Sequence, residues 1–192
     1  EIMPSLVGSE MCIRDSNESD IPECSAYHLL YQNNKDYMDD VALIYFNRKI
    51  KFKELFENIR KTAMSLTALG IGKGDIVTLQ VLNMPQTVYL FYALSYIGAV
   101  ANMIYFSASV KETNEILINT KSKMYIAIDS LWETHKESVK GTDVQHVLLL
   151  KIAESADVVT RTIVNIKLKA VKAANCMNWK QFLKYGSISD KT

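Results

Sequence analysis

The chain has 192 residues, 48% of them apolar and 22% charged, and its formal net charge is +1. These fractions are ordinary for a globular domain, and the near-neutral balance excludes a general electrostatic attraction to nucleic acid or to a strongly acidic partner. Cys12, Cys24 and Cys176 are odd in number and far apart with no Cys-x-x-Cys spacing, so neither a disulfide framework nor a zinc site is implied, and a reducing cytoplasm fits.

Residues 1–16, EIMPSLVGSEMCIRDS, carry no helical or strand period. They also lack the basic start and continuous apolar core of a signal peptide. They resemble a translated sequencing-adapter sequence and are expected to be a non-native leader, with residues 17–192 as the folded part. The Asn-x-Ser at Asn17 is read as chance.

Residues 25–32 predict a short helix with Tyr27, Leu30 and Tyr31 on one side. Residues 41–46 and 49–52 predict two strands, and Asn47-Arg48 between them suits a tight hairpin because Asn tolerates positive φ. Residues 53–69 predict the clearest helix. Leu55, Phe56, Ile59, Ala63 and Leu66 recur at spacings of three and four, with most of the charges opposite, and Gly70 is placed to end it.

Strands then alternate with helices. The expected strands are residues 76–81, 100–104, 124–128 and 146–151. The expected helices are 86–96, opened by Pro85 and stopped by Gly98, then 110–119, then a polar helix over 131–139. This alternation predicts right-handed crossovers and a largely parallel sheet with helices on both faces, preceded by the β-hairpin. The stretch 88–106 has 19 residues without a charge, close to a membrane span. Ser95, Asn102 and four spread tyrosines argue instead for a buried helix and a buried strand divided at Gly98-Ala99. Residues 158–189 hold Arg161, Lys167, Lys169, Lys172, Lys180 and Lys184 without an acid, interleaved with aliphatics. They predict a solvated helix or surface insertion, with peripheral contact to an anionic membrane as the alternative.

Two sets of residues invite a chemical reading. His28, His135 and His146 are too scattered for a ligand set, so none is expected to bind a metal. Gly70-Ile71-Gly72-Lys73-Gly74-Asp75 looks like a phosphate loop, yet it leads from a helix into a strand rather than the reverse, and Lys73 precedes Gly74 rather than Ser or Thr. Its glycines are expected to serve turn geometry.

Taken in order, the punctuation forms a pattern: Glu54-Leu55 opening a helix, Gly70-Ile71-x-x-Gly74-Asp75-x-Val77, Asn83-x-Pro85, and Gly98-Ala99-Val100. At these residues the chain resembles the adenylate-forming, AMP-binding superfamily, most nearly an acyl-CoA synthetase. The resemblance covers about residues 25–151, with an echo at Asn178-Trp179-x-x-Phe182-Leu183. It departs at Lys51-Phe52, where the family usually has Thr-Tyr, so a helix-capping hydroxyl is missing. It departs again at Gln86, where the family often carries Glu.

The resemblance implies an α/β fold that is an incomplete part of the large N-terminal domain of an adenylate-forming enzyme. It further implies an ATP-dependent parent that converts a carboxylic acid to an acyl-adenylate and then to an acyl-CoA thioester, with Mg²⁺ neutralising phosphate charge. ATP, Mg²⁺ and coenzyme A belong to the full-length parent, and none is expected on this chain. No Ser/Thr/Gly-rich run ending in Pro-Lys occurs, and the sequence stops near residues 185–192, where such a run is due. The expectation is a truncation before the phosphate-binding loop, with no catalytic, cofactor-binding or metal-binding residue present and the piece itself inactive. Loading of a carrier-protein thiol is the alternative within the superfamily. Outside it stand a non-catalytic α/β binding module, for which a stop codon soon after Thr192 would speak, and a membrane protein anchored through residues 88–106.

Overall fold

The computed structural model describes residues 23–155 and 176–189. The leader and most of the basic apolar stretch lie outside the described residues, as do Cys12 and Asn17.

Helix α1, Ala26–Asn34, begins where the Ser25 side chain accepts a hydrogen bond from the His28 N–H. A hairpin follows, β1 (Val41–Tyr45) and β2 (Arg48–Lys51). Its turn differs from the expected Asn47-Arg48. Tyr45 pairs with Arg48, so the loop residues are Phe46 and Asn47, both at positive φ, 43° and 62°. Two such residues make the kind of turn whose twist matches a hairpin. Asn47 tolerates this conformation, whereas a phenylalanine rarely adopts it.

Helix α2 spans Phe52–Ala68, so the second strand ends one residue earlier than expected and Phe52 is already helical. Leu55, Phe56, Ile59, Ala63 and Leu66 are all buried, as their spacing requires. At the end Gly70 lies at φ 77°, its N–H bonds the Thr67 carbonyl, and the Ile71 N–H bonds the Leu66 carbonyl. This satisfies two orphan carbonyls and buries Ile71 against Leu66. The start is less complete. Lys51 occupies the cap position in extended conformation without a side-chain hydrogen bond. Lys51→Thr is therefore expected to raise stability by about 1 kcal/mol in urea unfolding, because it supplies the missing acceptor. The ion pair it removes, to Asp39, is solvent-exposed and contributes little.

The main sheet is five-stranded and parallel. It comprises β3 (Ile76–Gln80), β4 (Val100–Met103), β5 (Met124–Ile128), β6 (His146–Leu150) and β7 (Met177–Asn178), in the spatial order β4-β3-β5-β6-β7. Helix α3, Pro85–Ile97, connects β3 to β4, and α4, Val110–Thr120, connects β4 to β5. The uncharged stretch thus divides at Gly98, φ 74°, into a helix and a strand. No helix among the described residues is long and apolar enough to cross a membrane.

The polar helix expected over 131–139 is instead three short pieces: a 3₁₀ turn at Asp129–Leu131, one α-helical turn, α5, at Trp132–His135, and another 3₁₀ turn at Lys136–Val139. The His135 side chain faces the Leu131 carbonyl, and the Ser138 hydroxyl bonds the His135 carbonyl. Side chains thereby satisfy groups that a longer helix would use. The last helix, α6, spans Trp179–Ser189 and opens with a reciprocal cap. The Asn178 Oδ1 accepts from the Gln181 N–H, and the Gln181 Oε1 accepts from the Asn178 N–H, each at 2.9 Å.

Helices cover both faces. One core joins α2, α3 and α6 to Val77, Leu79, Ile126, Ile128, Leu148 and Leu150, and a smaller one joins Leu117 and Trp132 to Tyr125, Ala127, Val147 and Leu149. All five residues of β5 are buried, which explains its unbroken apolar sequence.

Candidate functional site

The chain runs from β3 outward to β4, then returns to the other side of β3 to lay down β5 and β6. All strands stay parallel, but the direction in which the chain advances across the sheet reverses between β3 and β5. In open α/β sheets, ligands occupy the crevice outside the carboxyl ends of the strands at such a reversal. The residues at that end form the candidate site.

Gln80 is the last residue of β3 and is fully buried. Its Nε2 donates to the Phe106 carbonyl at 3.2 Å and to the Ala108 carbonyl at 3.1 Å. Its Oε1 accepts from the Tyr125 hydroxyl at 2.5 Å and from the Thr113 hydroxyl at 3.3 Å. His135 adds its Nε2 at 3.0 Å from the Ala108 carbonyl. Burial pushes the Tyr125 phenol up, so it stays a neutral donor. On the α4 side, the crevice is thus filled by the loop between β4 and α4, held by a saturated set of polar side chains.

On the α3 side, the hairpin leans over the same end of the sheet, and the Tyr45 hydroxyl donates to the Ile152 carbonyl at 2.8 Å. Between the hairpin and the start of α3 lies a cavity of 240 Å³ whose lining includes Leu43, Ile44, Asn83, Met84, Pro85 and Val88. Asp129, just beyond β5, has its carboxyl raised by partial burial, opposed by the Ser130 N–H and Lys151.

The residues singled out in the sequence do not converge here. Asn83 and Pro85 shape the turn into α3 and reach the cavity. Glu54-Leu55, Gly98-Ala99 and Asn178 sit at other turns and caps. Gln86 is fully buried, and its amide atoms meet no hydrogen-bond partner among the described residues. Unpartnered burial there disfavours a carboxylate more than an amide, which accounts for Gln in place of Glu. His146, the first residue of β6, faces the Leu69 carbonyl at 3.2 Å at the amino end of the sheet, the end opposite Gln80. Among the described residues no three His, Cys, Asp or Glu side chains gather as a metal-ligand group.

The 70–75 loop lies at the opposite, amino end of the sheet, before β3. It grips its own side chain: the Asp75 carboxylate accepts from the Gly72 N–H at 2.8 Å and from the Lys123 ammonium at 3.0 Å. Those two donors hold the Asp75 pKa below the ordinary carboxylate range, the Gly72 N–H foremost. A folded pKa below the unfolded one stabilises the fold at neutral pH, and that stabilisation disappears as pH falls through the folded value. Asp75→Asn is expected to cost about 1 kcal/mol at pH 7 and to flatten the loss of stability below about pH 4, read by urea unfolding across pH.

Gln80 and His135 were not singled out as a pair by the sequence. The signal available was a glutamine inside the apolar run 76–81, where a buried strand requires a partner for every polar group.

The family model described as AMP-binding enzyme matches residues 30–186. The acetyl-coenzyme A synthetase of Dictyostelium discoideum is 26% identical over 142 residues, covering 66% of this chain and 21% of that protein. The acetyl-coenzyme A synthetase of Brucella canis is 29% identical over 110 residues, covering 54% and 17%. The crystal structure of coronafacic acid ligase from Pectobacterium brasiliense superposes with a TM-score of 0.67 at 20% identity, over 83% of this chain and 29% of that one. At that identity the likeness is one of fold. The chain spans about a fifth of the length of the curated relatives it matches.

Proposed function

The chain belongs to the AMP-binding enzyme family, and from that premise we propose that it is part of the N-terminal domain of an AMP-forming acyl-CoA ligase. The match over residues 30–186 carries this reading. In the longer protein, a carboxylic acid and ATP give an acyl-adenylate and pyrophosphate, and coenzyme A then takes the acyl group as a thioester. Mg²⁺ supplies charge neutralisation at the phosphates.

The described residues offer no nucleotide cradle. The glycine loop is at the wrong end of the sheet and closes on Asp75, and Gln80, His135 and the β4–α4 loop occupy the reversal crevice on one side. No step of the reaction is assigned to them. Their role is scaffold: they set the carboxyl ends of five strands against which later segments dock. A cytoplasmic location follows from the same reading and is supported by free Cys24 and Cys176. Peripheral membrane contact through the basic stretch rests on composition alone.

Two measurements test the proposal. Isothermal titration calorimetry of this chain with ATP and Mg²⁺ is expected to show no binding in the micromolar range, and such binding would refute the scaffold role. Carboxylate-dependent ATP–pyrophosphate exchange is expected from a protein that continues this sequence, and its absence would refute the ligase reading.

A further inference from the structure

The loop between β4 and α4 is unusual in how it is held. Its backbone contributes few bonds of its own: the Ile104 N–H donates to the Leu79 carbonyl at 3.0 Å, and the Ala108 N–H to the Tyr105 carbonyl at 3.1 Å. Three further hydrogen bonds come from two side chains outside the loop, Gln80 on β3 and His135 on α5, and they end on the carbonyls of Phe106 and Ala108. His135 is itself fixed by Thr134, at 2.9 Å from Nδ1, and by the Leu131 carbonyl. Beyond the loop, Ser109 and Glu112 form a capping box that fixes the start of α4. Amid this restraint Tyr105 is 84% exposed, beside a surface recess of 820 Å³ between β4 and α4.

We infer that Gln80 and His135 are positioning residues that clamp the β4–α4 loop from beneath, so that Tyr105 is carried on a rigid platform at the carboxyl end of the sheet. The loop sequence cannot impose this shape by itself. Residues 104–108 contain neither glycine nor proline, and the turn has no side-chain cap of its own until Ser109. The shape is instead read out from the buried amide. Each of the four hydrogen-bonding positions of Gln80 is used, two upward on loop carbonyls and two inward on Tyr125 and Thr113. An amide bound on all sides has one orientation, and the loop inherits it. The inference concerns the resting conformation and stands independently of the proposed ligase activity.

Amide hydrogen exchange on this chain tests it, with Ile104 and Ala108 as loop reporters and Ile126 and Val147 as core references. Gln80→Met keeps the length of the side chain and removes both donors. Loop amides are expected to exchange at least about tenfold faster while core amides change far less, since both side-chain hydrogen bonds from Gln80 that close the loop are lost. Gln80→Glu keeps the acceptor toward Tyr125 and Thr113 but not the donors, and is expected to loosen the loop in the same way. His135→Leu is expected to speed Ala108 exchange, and His135→Gln, whose amide can again reach that carbonyl, to restore much of the protection. Equal acceleration of loop and core, unchanged loop exchange, or failure of His135→Gln to outperform His135→Leu would each overturn the inference. The His135 pair decides the matter if the Gln80 variants do not fold.

Discussion

Gly186→Ala is expected to destabilise the protein by about 2 kcal/mol, although alanine is the better helix former. Gly186 lies inside α6, where propensity alone predicts a gain of about 0.5–1 kcal/mol on adding a methyl group. Packing opposes this. A Cβ built on Gly186 would meet the Ser65 Oγ at 2.7 Å, the Ser65 backbone N at 2.9 Å and the Met64 Cβ at 3.1 Å. A backbone nitrogen within a helix cannot rotate away as a side chain can. Helix α6 would have to retreat from α2, and it carries Phe182, fully buried, and Trp179, 8% exposed. Relief of that overlap by a small shift costs about 1–3 kcal/mol, which exceeds the propensity gain and fixes the sign. Urea unfolding measures it. Ser65→Ala in the same background removes only the hydroxyl and is expected to recover part of the loss. A stabilised Gly186→Ala would show that α6 does not pack this closely.

The sequence marked Gly70 and Gly98 and passed over Gly186, and the difference is physical. A helix terminus is a local event. At Gly70 the two capping bonds span no more than five residues, so the chain text holds both partners. The neighbour that makes Gly186 necessary is more than a hundred residues away, and nothing in the local text marks it. The same contrast separates α2 from the piece at 131–139. The first has an apolar stripe at helical spacing and folded as that stripe required. In the second, Trp132, His135 and Ser138 are all buried: Trp132 packs in the smaller core, and His135 and Ser138 bond backbone carbonyls, which accompanies the break into short turns. At the hairpin, Asn47 correctly announced a positive φ, but the turn sits one residue earlier. Tyr45 is tied to the Ile152 carbonyl, and its pairing with Arg48 leaves Phe46 in the loop.

The candidate site was the least legible part for a related reason. Gln80, Thr113, Tyr125 and His135 are spread over four elements, and only the strand order brings them together. The punctuation that identified the family lies at turns and caps, which are conspicuous because each needs a particular residue. A family can therefore be recognised from its turns and caps, while the polar cluster beneath the loop goes unmarked.

Ile126→Ala is expected to have the largest effect of any single truncation, about 4 kcal/mol, which would consume much of the stability of an ordinary domain. The sheet register explains why. Ile126 pairs with Leu79 on one side and Leu148 on the other, and the same row continues to Met103 and Met177 at the edges. The three central members are fully buried and face α2, α3 and α6. Removing the middle one opens a cavity between two strands that cannot close, because their spacing is fixed by the hydrogen-bond ladder. Ile126→Val takes away one methylene and is expected to cost about 1 kcal/mol. Met103 supplies the contrast. It belongs to the same row but is 49% exposed on edge strand β4, so Met103→Ala should cost well under half as much as Ile126→Ala. A urea series over these three variants reads the gradient from centre to edge. If Met103→Ala proved as costly as Ile126→Ala, the order β4-β3-β5-β6-β7 would be wrong, and with it the placement of the reversal between β3 and β5 on which the candidate site depends.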